Sequence, residues 1–376
     1  MNLNNGRTEY TFCVPCLFGL EGLCADELKR LNLGNVRAEN GRVHFCGKDS
    51  DIAKVNINLR TGERVLLVVG ETSANSFDEL FEGVRRMPWE NFIPKNGEFP
   101  VKGHSLNSKL QSIPDCQKIV KKAIVEKLKS SHKTDILDET GAKYQIQFAI
   151  MDDTAALYID TSGAGLHKRG YRPVGSAAPL RETLAAAIVK LSRYKGREIV
   201  CDPFCGSGTI AIEAALAAIN RAPGIAREFS AQSWDWLDAT IWNDAKLEAQ
   251  SKEFQGNYDI WGGDIDPKYI EISKENAHRA GVAEHIRFEI ADVAKFSNEK
   301  QGGIIMTNPP YGERVMEHRE AEELYRKFGA AVRNLNAWKM YILSSHTEFE
   351  RTFGKKAIKK RKLYNGMIKC DLFMYF

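Results

Sequence analysis

One stretch restricts the architecture more than any other. Glu198-Ile199-Val200-Cys201-Asp202 has the makings of a short buried strand, Pro203-Phe204-Cys205-Gly206-Ser207-Gly208-Thr209 turns the chain, and a helix is expected through Ala218. Strand, glycine turn and helix in that order form the unit of an open, largely parallel α/β sheet, whose ligands bind at the carboxyl ends of the strands. Glycines in such a turn let a ligand approach the backbone and the helix N-terminus. The turn is not a P-loop, because the Lys-Ser/Thr pair that holds phosphate and magnesium is missing. Nor is it a dinucleotide fingerprint, since Ala211 stands where the third glycine belongs.

A second strand tip lies about a hundred residues downstream. Gly303-Ile304-Ile305-Met306 is a short apolar run, and Thr307-Asn308-Pro309-Pro310-Tyr311-Gly312 follows it. An Asn side chain and a proline-stiffened backbone present fixed hydrogen-bond acceptors, which an exocyclic amino group on a planar base requires. The next residue, Tyr311, offers a flat face for stacking, a contact worth about 1–3 kcal/mol per base. Asn308-Pro309-Pro310-Tyr311 resembles the signature of enzymes that methylate exocyclic amino groups of adenine, guanine or glutamine. Asp202–Thr209 likewise resembles the first motif of S-adenosylmethionine-dependent methyltransferases, nearly residue by residue.

That resemblance organises the remaining acids. The second strand is expected at Tyr258–Gly262, ending in Gly263-Asp264-Ile265-Asp266. An acid at this tip accepts the ribose hydroxyls of a nucleoside cofactor; Asp264 takes that role, with Ile265 against the adenine. Asp266 before Pro267 reads as a helix N-cap. After a helix over Tyr269–Ala280 and a strand over Ile286–Ile290, Asp292 fits the acid that accepts from the adenine amino group, beside Val293. Upstream, Leu180-Arg181-Glu182-Thr183 opens a helix reaching Leu191; in the family this segment closes over the methyl donor, so Leu180 and Thr183 are expected cofactor contacts. Asp202, Phe204, Cys205, Gly206, Gly208 and Asn308 complete the expected cofactor set. The acid usually follows the glycine turn by about 20 residues, but Asp264 lies 58 beyond Gly206. The extra length, 220–253, carries Trp234, Trp236 and Trp242, and reads as a packed cap in preference to an RNA surface, because tryptophans favour burial.

The first 165 residues have a different texture. Strands at Glu9–Val14, Val36–Ala38, Gly41–Cys46 and Arg64–Gly70, with helices at Leu20–Leu31 and Asp49–Leu59, follow the ferredoxin-like order. A second α+β unit follows, with a helix from Phe77 to Arg86, strands at Pro100–His104, Lys143–Met151 and Ala156–Asp160, and a basic helix over Asp115–Ser131. Lys118, Lys121 and Lys122 on that helix suggest a phosphate-contacting stripe. The Phe77–Trp89 helix and loop, the basic helix, and Leu157–Gly163 leading into Leu166–Arg172 resemble RNA-modifying enzymes that carry a THUMP domain after a ferredoxin-like one. In that family such domains grip structured RNA. His167, Lys168, Arg169 and Arg172 in the linker are therefore expected RNA contacts. Near the C-terminus, Asn365-Gly366 between two strand-like runs signals a hairpin. Lys359, Lys360 and Arg361 beside it read as edge-protecting charge or RNA surface, the latter favoured.

Composition adds bounds. The net charge of +4 permits a nucleic-acid partner without requiring one. No apolar run of about 18 residues marks a membrane span, and the first residues lack a signal peptide's apolar core, so a cytoplasmic location is expected. The 8 cysteines are expected as thiols there. Cys13 and Cys16 have a metal-pair gap but no partner pair at finger spacing, so buried thiols are expected and no metal site.

The expected fold is α/β, a Rossmann-like class I methyltransferase domain (166–376) behind a ferredoxin-like domain (1–70) and a THUMP domain (71–165). The likeness is greatest to bacterial 23S rRNA guanine-N2 methyltransferases, with tRNA guanine-N2 enzymes as relatives. It implies S-adenosyl-L-methionine as cofactor and guanine N2 in structured RNA as target. Adenine N6 of RNA or DNA is the alternative within the same chemistry. An RNA-binding assembly factor without activity is the alternative outside it, and would not bind S-adenosylmethionine.

Overall fold

In the computed structural model, which describes residues 2–4, 7–173, 180–311 and 318–376, the N-terminal half is built on one sheet. Strand β1 (Asn2–Asn4) flanks β2 (Arg7–Pro15); then come α1 (Glu21–Arg30), β3 (Gly34–Glu39), β4 (Arg42–Gly47), α2 (Asp49–Asn58) and β5 (Leu66–Ser73). This is the expected ferredoxin-like sequence of elements, paired in the order β3-β4-β2-β5. The THUMP unit adds α3 (Phe77–Arg85), β6 (Val101–Leu106), α4 (Ile113–His132), β7 (Ile146–Met151) and β8 (Thr154–Asp160). Ser76 starts α3 by accepting from the Glu79 amide, as an N-cap serine does. On α4, Cys116, Val120, Ala123, Ile124 and Leu128 are buried, an apolar stripe at helical spacing that turns its lysines outward.

The two units are not separate sheets. β5 pairs with β2 along one edge and with β8 along the other, giving the continuous order β3-β4-β2-β5-β8-β7-β6. The expected boundary at residue 70 therefore falls inside a strand that both units share.

The C-terminal half contains α5 (Glu182–Leu191), β9 (Val200–Asp202), α6 (Thr209–Ala218), α7 (Thr240–Ser251), β10 (Ile260–Asp264), α8 (Pro267–Arg279), β11 (Ile286–Ile290), β12 (Gly303–Thr307), α9 (His318–Val332), β13 (Trp338–Ser344), α10 (Phe349–Phe353), β14 (Lys359–Asn365) and β15 (Ile368–Tyr375). Their sheet runs β11-β10-β9-β12-β13-β15-β14. The first five pair in parallel, and β15 lies antiparallel to both β13 and β14. Ile304, Ile305 and Met306 are all buried, as a central parallel strand covered on both faces requires. Strand order reverses between β9 and β12, which is where open α/β sheets bind ligands. The hairpin exists, but Asn365 is the last residue of β14 and the turn is Gly366-Met367, with Gly366 at φ 66°. No described helix is long and apolar enough to cross a membrane.

The tryptophan-rich insertion is packed, and it packs on the N-terminal half. Trp234 stacks on Tyr144 at 5.0 Å between centroids and donates to the Lys143 carbonyl at 3.0 Å. Trp242 stacks on Phe229 at 5.2 Å. The Ala231 amide donates to the Thr161 carbonyl, and the Gly224 amide to that of Ile57. A Cβ on Gly224 would lie 2.8 Å from the Asn56 carbonyl oxygen and the Ile57 Cα, so only glycine permits this approach. The insertion thus straps the methyltransferase domain to the core of the other half. Trp242→Ala should cost about 3–5 kcal/mol in urea denaturation and separate the unfolding of the two halves. A loss below about 1 kcal/mol would mean that the strap shares no core.

Candidate active site

At the tip of β9, Asp202 is 1% exposed. Its Oδ1 accepts from the Thr307 hydroxyl at 2.6 Å and from the Phe204 amide at 3.3 Å. Burial pushes its carboxyl up to about 7, against the lowering effect of those two bonds. Thr307 ends β12 and Asn308 follows it, so one hydrogen bond ties the glycine-turn strand to the Asn-Pro-Pro-Tyr motif.

Within the turn, Gly206 has φ 51° and a Cβ there would meet nothing within 4 Å, whereas a Cβ on Gly208 (φ 80°) would press within 2.9 Å of Ser273 and 3.0 Å of Phe288. Gly208 is demanded by packing; Gly206 leaves the turn open to a ligand. Cys205 is buried and donates its amide to the Gly263 carbonyl at 2.9 Å. Phe204 meets Phe328 edge-on at 5.2 Å.

Asp264 ends β10. Its Oδ2 accepts from the Gly206 amide and its Oδ1 from the Asp266 amide, both at 3.0 Å. Burial raises its carboxyl, with these bonds opposing. Beside it Ile265 is 69% exposed. Past the tip of β11, Asp292 is exposed and accepts from the Ala294 amide at 2.9 Å, while Val293 is buried. Acids at two neighbouring tips, an exposed aliphatic side chain and an open glycine turn fit a nucleoside cofactor.

Comparison with known proteins agrees with this geometry. Residues 169–373 match the model described as RMKL-like, methyltransferase domain; residues 11–66 match the RlmL ferredoxin-like domain and 74–160 the THUMP domain. The chain belongs to the RMKL-like methyltransferase family. It is 45% identical over 374 residues, 98% of this chain and 96% of the other, to the Bacillus subtilis (strain 168) protein described as "Putative RNA methyltransferase YpsC". It is 34% identical to the Psychromonas ingrahamii "Ribosomal RNA large subunit methyltransferase K/L", covering 97% of this chain but half of that longer protein. Among solved structures, SMU.472, complexed with SAH, superposes with a TM-score of 0.93 at 39% identity, over 98% of each chain. A Listeria monocytogenes structure described as a "predicted N6-adenine-specific DNA methylase" also gives 0.93, at 44% identity, over 98% of this chain and 96% of that one. The fold is that of class I methyltransferases, with S-adenosylmethionine as the cofactor.

In this methyltransferase the Asn-Pro-Pro-Tyr motif is held from two sides. The Tyr325 hydroxyl donates to the Pro310 carbonyl at 2.6 Å. The Tyr311 hydroxyl donates to Asn308 Oδ1, and the Cys370 thiol lies 3.6 Å from it. The Tyr311 ring packs on the domain core, and burial raises its hydroxyl well above the ordinary range, with Cys370 adding to the effect. Tyr311 therefore does not stand as the free stacking face expected from the sequence. Pro309 is buried. Gly312, which ends the Thr307–Gly312 stretch, lies outside the described residues.

The start of α5 is oriented by a residue that sequence reading missed. Glu63 accepts from Thr183 at 2.6 Å, contacts His167 Nδ1 at 2.9 Å and accepts from Arg181 at 3.1 Å. Burial alone would raise its carboxyl; the His167 and Thr183 bonds hold it below the ordinary value. The Thr183 hydroxyl is thus committed to the N-terminal half, and Leu180 is buried. No local pattern marks Glu63, because its partners lie 104 to 120 positions away.

Two expected RNA contacts are interior residues. Arg169 is 5% exposed and donates to the carbonyls of Leu166 and Arg60 and to Glu213. Arg172 is paired with Glu182 and donates to the Leu180 carbonyl at 3.1 Å. Buried guanidinium groups need such partners, and these two secure the junction instead of facing a ligand. Lys121 is neutralised, with both Glu139 oxygens at 2.7 Å. Lys360 pairs with Glu350 at 2.7 Å, and Arg361 donates to the Gly19 carbonyl. Lys118, Lys122, Lys168 and Lys359 are exposed.

Because burial raises the carboxyl of Asp202 from an ordinary 3.8 to about 7, between these pH values the folded state holds a proton that the unfolded chain has released. Its contribution to stability is present below about 4 and is lost as pH rises through about 7. In urea denaturation Asp202→Asn should remove this decline; an identical pH profile for both proteins would place the carboxyl in the ordinary range.

Proposed function

We propose that this chain methylates N2 of a guanosine in structured RNA, 23S rRNA foremost and tRNA second, using S-adenosylmethionine. The observation that carries the reading is Asn308 at the tip of β12, cross-linked through Thr307 to Asp202 at the head of the glycine turn. Bound at that turn, the sulfonium supplies an electrophilic methyl group. Asn308 Oδ1 and the Pro309 carbonyl accept the two amino hydrogens and aim the nitrogen lone pair along the sulfur–carbon axis. The new nitrogen–carbon bond forms as the sulfur–carbon bond breaks, and the nitrogen then loses a proton to solvent. Alignment of this kind lowers a barrier by about 7–11 kcal/mol. The incoming amino group takes the place of the Tyr311 hydroxyl on Asn308 Oδ1, which frees the ring to turn toward the base. The base reaches this site unpaired or flipped out of its helix.

RNA as substrate is supported by the ferredoxin-like and THUMP matches and by the names of two relatives. The division at about 70 and 165, and Lys118, Lys122, Lys168 and Lys359 as phosphate contacts, belong to the same reading. Adenine N6 is the second reading, favoured by the description of the Listeria structure; Asn308 and Pro309 can accept from either amino group. Transfer of tritiated methyl to isolated rRNA and tRNA, followed by nucleoside mass spectrometry, separates them: N6-methyladenosine in place of N2-methylguanosine would sink the first reading.

Asn308→Ala should lower transfer by about 10²-fold or more while calorimetry still shows S-adenosylmethionine binding. Retained activity would remove Asn308 from its role. Tyr311→Phe keeps the ring and releases Asn308, so it should stay within about tenfold of the parent, whereas Tyr311→Ala should lose the roughly 1–3 kcal/mol of base stacking. Equal effects in the two variants would show that stacking plays no part.

A further inference from the structure

Close beside the Asn-Pro-Pro-Tyr motif, the two ends of the chain meet. The β14–β15 hairpin turns its inner side to the motif, with the Cys370 thiol 3.6 Å from the Tyr311 hydroxyl. Along the same hairpin the β2–α1 loop is docked: Arg361 donates to the Gly19 carbonyl at 3.1 Å, and a Cβ on Gly19 would lie 2.9 Å from the Lys362 carbonyl oxygen. The loop is itself fixed, because the Glu21 carboxylate accepts from the Gly19 amide at 2.9 Å and the Gly41 amide at 3.0 Å.

This rigid junction carries apolar side chains out into solvent. Phe18 is 58% exposed although its ring rests against Gly41 and meets Tyr364 edge-on at 6.3 Å. Met367, at the hairpin turn, is fully exposed. Beside them Lys362 and Lys369 are exposed; in the hairpin register Lys369 stands opposite Tyr364 and Lys362 opposite Asp371. Asp371 is the single acid from Lys359 to Asp371. Flat or polarisable apolar groups set beside exposed cations match the faces and phosphates of single-stranded nucleic acid. An acidic or apolar protein surface would leave either the rings or the lysines without a counterpart.

We propose that Phe18, Tyr364 and Met367 form a platform on which unpaired nucleotides flanking the target base stack, with Lys362 and Lys369 on their phosphates. The ferredoxin-like domain thereby supplies part of the active-site wall, and the platform selects targets in single-stranded or bulged RNA. This rests on the reading that the substrate is RNA.

The test uses the full chain and a short RNA containing 2-aminopurine, offered single-stranded and as a duplex. The parent should quench the probe and prefer the single strand. Phe18→Ala combined with Met367→Ala should weaken single-strand binding about tenfold, leaving duplex affinity and S-adenosylmethionine binding unchanged. Phe18→Leu, which keeps apolar packing on Gly41, should lose the quenching as well; full rescue by Leu overturns the platform by making Phe18 a packing residue. Unchanged single-strand affinity in the double variant, with methyl transfer to RNA intact, overturns the platform alone. If it is accompanied by a loss of concentration-dependent self-association, the face belongs to a second copy and the platform is equally overturned. Absence of methyl transfer from the parent to any RNA overturns the underlying reading instead.

Discussion

A hydrogen bond between two neighbouring strand ends governs the site. Asp202 sits almost without solvent contact in the middle of a parallel sheet, where a carboxylate is costly unless donors face it. The Thr307 hydroxyl and the Phe204 amide face it. The bond can form only because β9 and β12 are neighbours, which is a property of the sheet order. The strand order reverses at the same place, with the glycine turn following one of these strands and Asn308 the other. The glycine turn and Asn308 are brought together by topology, and one buried carboxyl group links the strands that carry them.

The N-terminal half is joined to this site by interior polar groups and by the strap. Glu63 collects Thr183, Arg181 and His167, while Arg169 reaches Glu213 on α6 and the carbonyl of Arg60 in the loop before β5. Buried charges of this kind fix geometry more than they add stability. The strap adds the apolar share, with Trp234 and Trp242 lying in the same core as the eight-stranded sheet. Together they hold the N-terminal half at one position relative to Asn308, which a docked β2–α1 loop at the hairpin reinforces.

Much of this was readable as a string of residues. The ferredoxin-like order, the strand before the glycine turn, the helix N-cap at Asp266 and the strand ending in Thr307 all appear close to where local pattern puts them. The hairpin is present with its turn one residue later than the Asn-Gly pair suggests. The basic residues fared differently. Lys118, 3.6 Å from Asp115 on the same helix, and Lys122 face solvent, yet Lys121 between them is spent on Glu139, 18 positions away.

What the sequence determined by itself was local chemistry: apolar periodicity, glycine and proline turns, and acids at strand ends depend on neighbours a few positions away. What only the tertiary structure decided was which polar groups remain available. Thr183, Arg169 and Arg172 read as ligand contacts until their partners Glu63, Glu213 and Glu182 were brought beside them. Tyr311 read as an open stacking face until Asn308 and the Cys370 thiol closed on its hydroxyl. A side chain's polarity belongs to the residue. Whether that polarity is already satisfied depends on partners that lie, for Thr183 and Glu63, 120 positions apart, and folding alone brings them together.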